Sequence, residues 1–211
     1  RSPGGSSRTR LAAPPAMLQG RTIFVRLESV RRYLWEKIEE WQLRKQANAM
    51  ARALAGYGFA ADTEAALAGM SGNQMETMIL HELGEAMAGE LLGAAWGEMS
   101  VSVARSRAEP VARAVRDLLA DCLSTLPVLL ERAASPALHL YFATFDAPHR
   151  QLFPQALAAY DHFLRDGDLG QLHQVVQEGK ARWLATAQGL LALNPAAREV
   201  AMKSLLPPSA R

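Results

Sequence analysis

The chain has 211 residues, of which 49% are hydrophobic and 21% are charged. This balance is typical of a globular domain, and it excludes wholesale disorder, a collagen-like repeat and a disulfide-rich scaffold. The length fits one domain or two small ones. Glu90 and Glu98 interrupt the most apolar stretch, so the sequence predicts no membrane-spanning helix.

Charge is distributed unevenly along the chain. Residues 1–32 carry seven Arg and one Glu, a net charge of +6, whereas residues 33–211 carry a net charge of −4. Residues 1–22 are rich in Gly, Ser, Pro and Arg without an apolar period, which predicts a disordered basic arm. We expect a single helical domain over residues 23–205 and a frayed tail over residues 206–211.

The same composition argues against a nucleic-acid partner and a cysteine-based framework, and it predicts a cellular location. Glu residues share the first predicted helix with its Arg residues, so we expect a solvated charged face and no nucleic-acid partner. Cys122 is the one cysteine, which excludes an internal disulfide and a cysteine-rich zinc cage. Together with the lack of a secretory signal in residues 1–20, this predicts a reducing, cytoplasmic location.

Apolar residues recur at helical spacing along most of the chain, which predicts an all-α fold. We expect one compact bundle of about seven to nine helices. The predicted helices cover about residues 24–54, 62–70, 73–99, 107–126, 138–145, 155–165 and 168–193, with a short last helix after residue 195. Pro127 kinks or ends the fourth of them. No segment has the alternation needed to build a sheet.

Residues 56–61 read GYGFAA and match the loose dinucleotide-binding pattern GxGxxA. The match follows a predicted helix and not a strand, and the sequence predicts no parallel sheet. We therefore interpret it as the end of a helix followed by a turn, and we expect no nucleotide cofactor.

The predicted helix over residues 73–99 carries the candidate site. No Lys or Arg occurs between Arg52 and Arg105, although the same stretch holds seven carboxylates. A seam runs along this helix in alternating steps of three and four residues, which is typical of a face that packs on a partner helix. The seam consists of Met78, His81, Glu85, Ala88, Leu92, Ala95 and Met99. A second apolar face, at Leu83, Met87 and Leu91, predicts that this helix is central and largely buried.

His81 and Glu85 are the polar members of the seam, one helical turn apart. A buried carboxylate is costly unless it is protonated, paired with a cation or bound to a metal. Three alternatives are open. A protonated His81 pairs with Glu85, both side chains bind one metal ion, or Glu85 pairs with an Arg of another helix, such as Arg113 or Arg116.

Further ligands would come from other predicted helices. Asp121 lies at the edge of an apolar face, and His139 lies in an aromatic helix. A set made of His81, Glu85, Asp121 and His139 would suit a divalent zinc, iron or manganese ion. Glu82 lies beside His81 and is the candidate catalytic residue, since its carboxylate could hydrogen-bond a bound water.

The segment ILHELGEAMAG resembles the zinc-protease pattern HELGHxxG over about nine residues, with Glu85 in the position of the second His. The resemblance implies that His81 is a metal ligand and that Glu82 is a general base. Zinc proteases of this kind also have a β-sheet beside the helix, which this sequence does not predict. The match therefore assigns no family.

A wider resemblance extends over residues 24–193. The segments WEKIEEW, ILHELGEAMAGELLG, RAVRDLLADCLSTLP and LHLYFATFD resemble a bacterial family of uncharacterised all-helical proteins. This resemblance implies a single helical domain without an assigned activity. It places His81, Glu82, Glu85, Asp121 and His139 in the shared segments.

Two functional hypotheses follow. In the first, the protein binds a divalent metal on its central helix and acts as a metal-dependent hydrolase or oxidase on a small molecule. In the second, it is a non-catalytic helical interaction or scaffold module with a protein partner, and His81 and Glu85 form a structural pair in the core. Both hypotheses are compatible with an oligomer.

Overall fold

The described part of the chain is almost entirely helical, as the apolar spacing predicts. The structure is a computed structural model that describes residues 16–19, 22–132 and 135–205. Two short strands come first, β1 (Ala16–Gln19) and β2 (Thr22–Val25). The helices are α1 (Leu27–Arg44), α2 (Ala49–Gly56), α3 (Thr63–Leu92), α4 (Ala94–Val103), α5 (Glu109–Ala120), α6 (Leu126–Glu131), α7 (Ser135–Thr144), α8 (Ala147–Leu152), α9 (Pro154–Asp166), α10 (Gly170–Ala192) and α11 (Pro195–Leu205). The all-α prediction is confirmed.

The two strands form an antiparallel pair, with Ala16 opposite Val25 and Gln19 opposite Thr22. The β-branched and aromatic residues of β2 favour extended backbone, and the pair packs against α3. Residues 16–19 and Thr22, which the sequence assigns to the predicted arm, lie in this strand pair. The other residues of the arm, 1–15 and 20–21, and the predicted tail at 206–211 lie outside the described residues.

Helix α3 begins earlier and ends earlier than predicted. Asp62 caps its start by accepting a hydrogen bond of 3.0 Å from the Ala65 N–H. The sequence predicts a break between two helices at residues 71–72, but the helix continues, and the Ser71 hydroxyl donates to the carbonyl oxygen of Leu67, one turn back. At Gly93 a φ of +67° separates α3 from α4. The single helix predicted over residues 73–99 is thus shared between α3 and α4.

Helix α3 is central, since it contacts α1, α5, α7 and both strands. Its seam face is buried at Ala88 and Leu92, and the neighbouring Gly84 is buried as well. Its second apolar face is open to solvent, where Leu83 is 46% exposed and Met87 is 43% exposed. The expectation of burial is therefore wrong for this second face, because no described element packs over it.

Two hydrophobic clusters stabilise the bundle. The larger cluster is formed by the C-terminal end of α3 together with helices α4 through α11. It includes Leu118, Phe142 and Trp183, all of which are nearly inaccessible to solvent. The smaller one joins α1, α2 and the first half of α3 and includes Leu34. Helix α7 separates them, because Phe142 packs into the larger cluster and Leu140 into the smaller.

The crossing of α3 and α5 is set by Gly84. A Cβ atom at Gly84 would lie 2.2 Å from the carbonyl oxygen of Ala120, so only glycine allows this approach of the two backbones. The crossing lies next to Asp121, which directly follows α5, and between His81 and Glu85 on α3. It therefore brings the polar members of the two helices face to face.

Helices α5 and α6 are continuous through a π-helical turn at Asp121–Thr125. In this turn the Leu126 N–H donates to the carbonyl oxygen of Asp121, five residues back. Pro127 has no N–H and cannot make the α-helical bond to Leu123, and the turn widens the helix just before it. The predicted kink or end at Pro127 is thus a π turn, and Asp121 opens it.

Candidate functional site

His81 lies between carboxylates at both of its ring nitrogens. Its Nδ1 is 2.8 Å from Asp121 Oδ1, and its Nε2 is 3.5 Å from Glu85 Oε1. The side chains of His81 and Glu85 are 28% and 23% exposed. The structure thus brings together three of the four predicted metal ligands, at the α3–α5 crossing.

Asp121 is the buried anchor of this group. It is 6% exposed, and its second oxygen, Oδ2, accepts a hydrogen bond of 2.8 Å from the Tyr141 hydroxyl. Both carboxylate oxygens are therefore engaged. Asp121 was predicted to bind the metal directly, but its contact with Nδ1 suits it to orient the His81 ring instead, as carboxylates often do behind a metal-binding histidine.

Asp117 completes the cluster on the open side of His81. One ligand atom each from His81, Glu85 and Asp117 lie within 4.8 Å of one another. The Asp117 side chain is 14% exposed. The sequence pattern did not single out Asp117, although its position four residues before Asp121 on one helix places both on the same face.

Arg116 provides the cation that the sequence of α3 lacks. It forms an ion pair with Glu85 through Nη2, and the same nitrogen lies 3.5 Å from Asp117 Oδ1. Arg113, the other expected partner, instead lies 3.0 Å from Glu109 on its own helix. Glu85 therefore interacts with both His81 and Arg116, so two of the predicted alternatives occur together.

His139 is not part of the cluster. Its Nδ1 lies 2.7 Å from the Tyr160 hydroxyl, and its ring packs near Phe163 on α9. Tyr141, two residues further along α7, reaches Asp121, so His139 lies on the other side of that helix. The structure therefore does not bring His139, the fourth predicted ligand, to His81, Glu85 and Asp121.

Burial and charge shift the proton equilibria of the cluster. Burial opposes the charge of His81, but the hydrogen bond and the charge of Asp121 outweigh it and raise the pKa of His81 to about 11. Burial raises the pKa of Asp117 to about 6, against the charges of His81 and Arg116. Burial also opposes the charge of Glu85, yet His81 and Arg116 lower its pKa below the ordinary value. At neutral pH the cluster is an imidazolium surrounded by carboxylates.

A cleft of about 320 Å³ opens beside the cluster. His81 and Asp117 form part of its wall, and Glu82 lies on the same wall. Helices α1 and α7 close the other side with Tyr33 and Thr144. A small molecule in this cleft would contact His81, Asp117 and Glu82 together.

Residues 31–206 match the family of unknown function described as the DUF6866 C-terminal domain, and the chain belongs to this family. The match includes the whole candidate site, and it agrees with the predicted resemblance to uncharacterised proteins. No curated protein and no solved structure matches the chain. None of the helices in the described ranges is long and apolar enough to cross a membrane.

Proposed function

We propose that His81, Glu85 and Asp117 bind a divalent metal ion and that the protein uses it to act on a small molecule in the cleft. The observation that carries the proposal is the convergence of their three ligand atoms within 4.8 Å. One imidazole nitrogen and two carboxylate oxygens suit zinc, iron or manganese. Bonds of about 2.0–2.2 Å to zinc would need only small side-chain rotations to close this set.

The surroundings of His81 support the same proposal. Asp121 holds Nδ1, which leaves Nε2 as the nitrogen that faces Glu85. A carboxylate in this position fixes the orientation of the ring and makes a histidine a stronger ligand. Asp121 is itself held by Tyr141, so the ligand is supported through two successive hydrogen bonds.

We propose hydrolysis as the reaction. Three protein ligands leave a position for water on the metal, and a bound metal lowers the pKa of that water. Glu82 lines the cleft next to His81 and would accept the proton of the attacking water. Oxidation is the alternative reaction and requires iron or manganese. If the site holds zinc, hydrolysis is therefore the one reaction of the two that remains.

A second candidate function is supported by the ion pair between Arg116 and Glu85. Because Arg116 already balances the charge of Glu85, the cluster can serve as a structural network that fixes the packing of α3 on α5. The protein would then be a non-catalytic interaction or scaffold module. Removal of one partner alone from this partly buried ion pair would destabilise the folded state, because the other charge would be left uncompensated.

The deciding experiment measures metal content and metal binding on the full chain. The purified protein is analysed for zinc, iron and manganese, and after chelation each metal is titrated by calorimetry. We expect His81→Ala to abolish binding and Asp117→Asn to weaken it strongly. Glu90→Gln is the matched control, because Glu90 lies on the same helix but is exposed. It should bind as the wild type does.

Thermal unfolding separates the two candidates. A metal that binds only the folded protein stabilises it by mass action, so a chelator should lower the melting temperature of the wild type and leave His81→Ala unchanged. In a structural network, His81→Ala would still cost about 1–3 kcal/mol of stability, but a chelator would affect neither protein. The second result would overturn the metal proposal.

Glu82→Gln tests the reaction. We expect the zinc-loaded variant to keep its metal and to lose hydrolysis of a p-nitrophenyl ester that the zinc-loaded wild type cleaves. Equal rates in the two proteins would remove Glu82 from the mechanism. Oxygen consumption by the iron- or manganese-loaded protein would favour oxidation instead.

Three expectations from the sequence accompany this proposal. We propose a cytoplasmic location, from the single cysteine, and a bacterial origin, from the resemblance of the four segments. A small-molecule partner is favoured over nucleic acid, because the candidate site is a small acidic cleft.

A further inference from the structure

We propose that the cleft beside the metal cluster binds a small organic cation, a molecule with an ammonium or guanidinium group. Gln74, Glu82 and Asp146 are the residues that would recognise this group. The inference goes beyond the metal centre and does not rest on it, because these three residues are not metal ligands.

Gln74 is the observation that points to a ligand. It lines the cleft and is only 6% exposed, and its Oε1 is buried without a hydrogen-bond partner among the described residues. A buried acceptor without a donor destabilises the folded state. An N–H group of a bound molecule would supply the missing donor.

Three hydroxyl groups that line the cleft already donate within the protein. Thr77 donates to the carbonyl oxygen of Asn73 at 2.9 Å, and Thr144 donates to that of Tyr141 at 3.0 Å. The Tyr141 hydroxyl donates to Asp121. The wall therefore offers mainly acceptors, which suits a ligand rich in hydrogen-bond donors.

The charge of the cleft favours a cation. Glu82 and Asp146 line it together with Asp117 and Asp121, and none of the described lining residues is Lys or Arg. Its two histidines are each paired with a carboxylate, His81 with Asp121 and His149 with Asp146. A wall with an excess of carboxylates attracts cations and repels anions.

The remaining surface of the cleft fits an organic cation better than a bare ion. Tyr33 and Phe145 contribute aromatic surface, and Met78 contributes a flexible apolar side chain. Aromatic rings attract cations through their faces, and apolar walls bury hydrocarbon. A cavity of about 320 Å³ accommodates a short alkyl chain with one charged end.

The test uses three probes of equal length that differ only in their polar end, namely hexylamine, hexanol and hexanoate. Each is titrated by calorimetry into the full chain in the presence of a chelator, which removes any metal. We expect hexylamine to bind at least about tenfold more tightly than hexanol, as one charge-assisted contact predicts, and hexanoate not to bind.

Variants then locate the site. Gln74→Met keeps the size of the side chain and removes the acceptor, and Glu82→Gln removes a charge. Each should weaken hexylamine binding about tenfold. Gln74→Met should also fold well, since it replaces an unpaired buried acceptor with an apolar group. Glu90→Gln, on the exposed side of α3, should bind hexylamine as the wild type does.

Three results would overturn this inference: equal binding of hexanol and hexylamine, a preference for hexanoate, or unchanged hexylamine binding in Gln74→Met. The metal proposal is judged separately, because the titrations are made without metal. Hexylamine binding in a protein that binds no metal would support the inference and end the metal proposal. Metal binding in a protein that does not bind hexylamine would support the metal proposal and overturn this inference.

Discussion

His81 can serve as a metal ligand or as a buried cation, and its protonation decides between them. Burial lowers the pKa of His81, but Asp121 outweighs this effect and raises the pKa to about 11. With carboxylates at both nitrogens, the ring is therefore doubly protonated at neutral pH. A metal at Nε2 must displace that proton, since only a neutral imidazole binds metal. Metal binding should therefore release a proton and strengthen as the pH rises.

Proton release can be measured directly. Calorimetric titrations of zinc in two buffers with different ionisation enthalpies should show about one proton released per metal near neutral pH. Asp117→Asn should reduce the affinity without changing this number, because the proton comes from His81. Binding without proton release would mean that His81 is not a ligand.

The same shift predicts how stability depends on pH in the metal-free protein. The pKa of His81 is about 11 in the folded state and about 6.5 in an unfolded chain, so its contribution to stability is complete below the lower value. It is lost as the pH rises toward the higher one. In urea denaturation between about pH 8 and pH 10, the free energy of unfolding should fall more in the wild type than in His81→Gln. Parallel curves would contradict the raised pKa.

Asp121→Asn separates orientation from ligation. The amide keeps the shape of the side chain but weakens its hold on His81 Nδ1, so metal affinity should fall about 10- to 100-fold and not vanish. Stability should fall by about 1–3 kcal/mol, because a buried hydrogen-bonded charge is lost. An affinity equal to that of the wild type would show that the cluster does not need this support.

At this scale the sequence predicts the pairing of His81 with Glu85 and the approach of Asp121. Asp117 could have been found from its spacing to Asp121. Gln74 could have been found by extending the seam four residues back from Met78. The sequence does not predict that Glu85 pairs with Arg116 and not with Arg113, or that His139 faces away from the cluster. Both depend on the rotation of each helix about its axis relative to its neighbours, which residue spacing within one helix does not determine.

At the scale of helices, Gly84 determines whether the site can assemble. Alanine at this position would gain helix propensity, but its Cβ would meet backbone at Ala120, which cannot move aside as a flexible side chain can. We expect Gly84→Ala to lower the free energy of unfolding by about 1–3 kcal/mol in urea denaturation and to weaken metal binding.

Gly89→Ala is the matched control for this change. No atom lies within 4 Å of a Cβ at Gly89, and the residue is exposed on the same helix. This variant should be stabilised by about 0.5–1 kcal/mol, since alanine favours helix over glycine. A stabilised Gly84→Ala variant would show that the backbones of α3 and α5 lie farther apart at their crossing than in this structure.

The helical fold was predictable from the spacing of apolar residues, but two helix boundaries were not. Ser71 has the sequence of a cap, yet its hydroxyl bonds back within α3, and only the packing of its surroundings decides between these conformations. Glycines at 84, 89 and 93 look alike in the sequence. In the structure the first allows a crossing, the second is exposed and the third ends the helix.

For the whole molecule, the strand pair extends the folded unit toward the N-terminus. Val25 packs against the smaller cluster, and both strands contact α3. The sequence did not predict this pair, because four residues per strand give too little alternation to distinguish it from a loop.

Two truncations test this boundary. Removal of residues 1–15, which show no apolar pattern, should leave the melting temperature unchanged. Removal of residues 1–21 also deletes β1 and leaves β2 unpaired, so the melting temperature should fall, by about 2–4 °C for each kcal/mol lost. Differential scanning calorimetry of both variants checks this, and an equal melting temperature would show that residues 16–19 do not contribute to stability.

The π turn between α5 and α6 has a consequence for chain length. Each residue of an α-helix rotates the next by about 100°, so one additional residue changes the rotational phase of everything that follows. Asp117, before the turn, and Asp121, at its start, face α3 and the cleft, and after the turn Leu126 and Leu130 face the larger cluster. Deletion of Ser124 would rotate one of these faces away from its partner. The number of residues between Asp121 and Leu126 is therefore a requirement of the site in its own right.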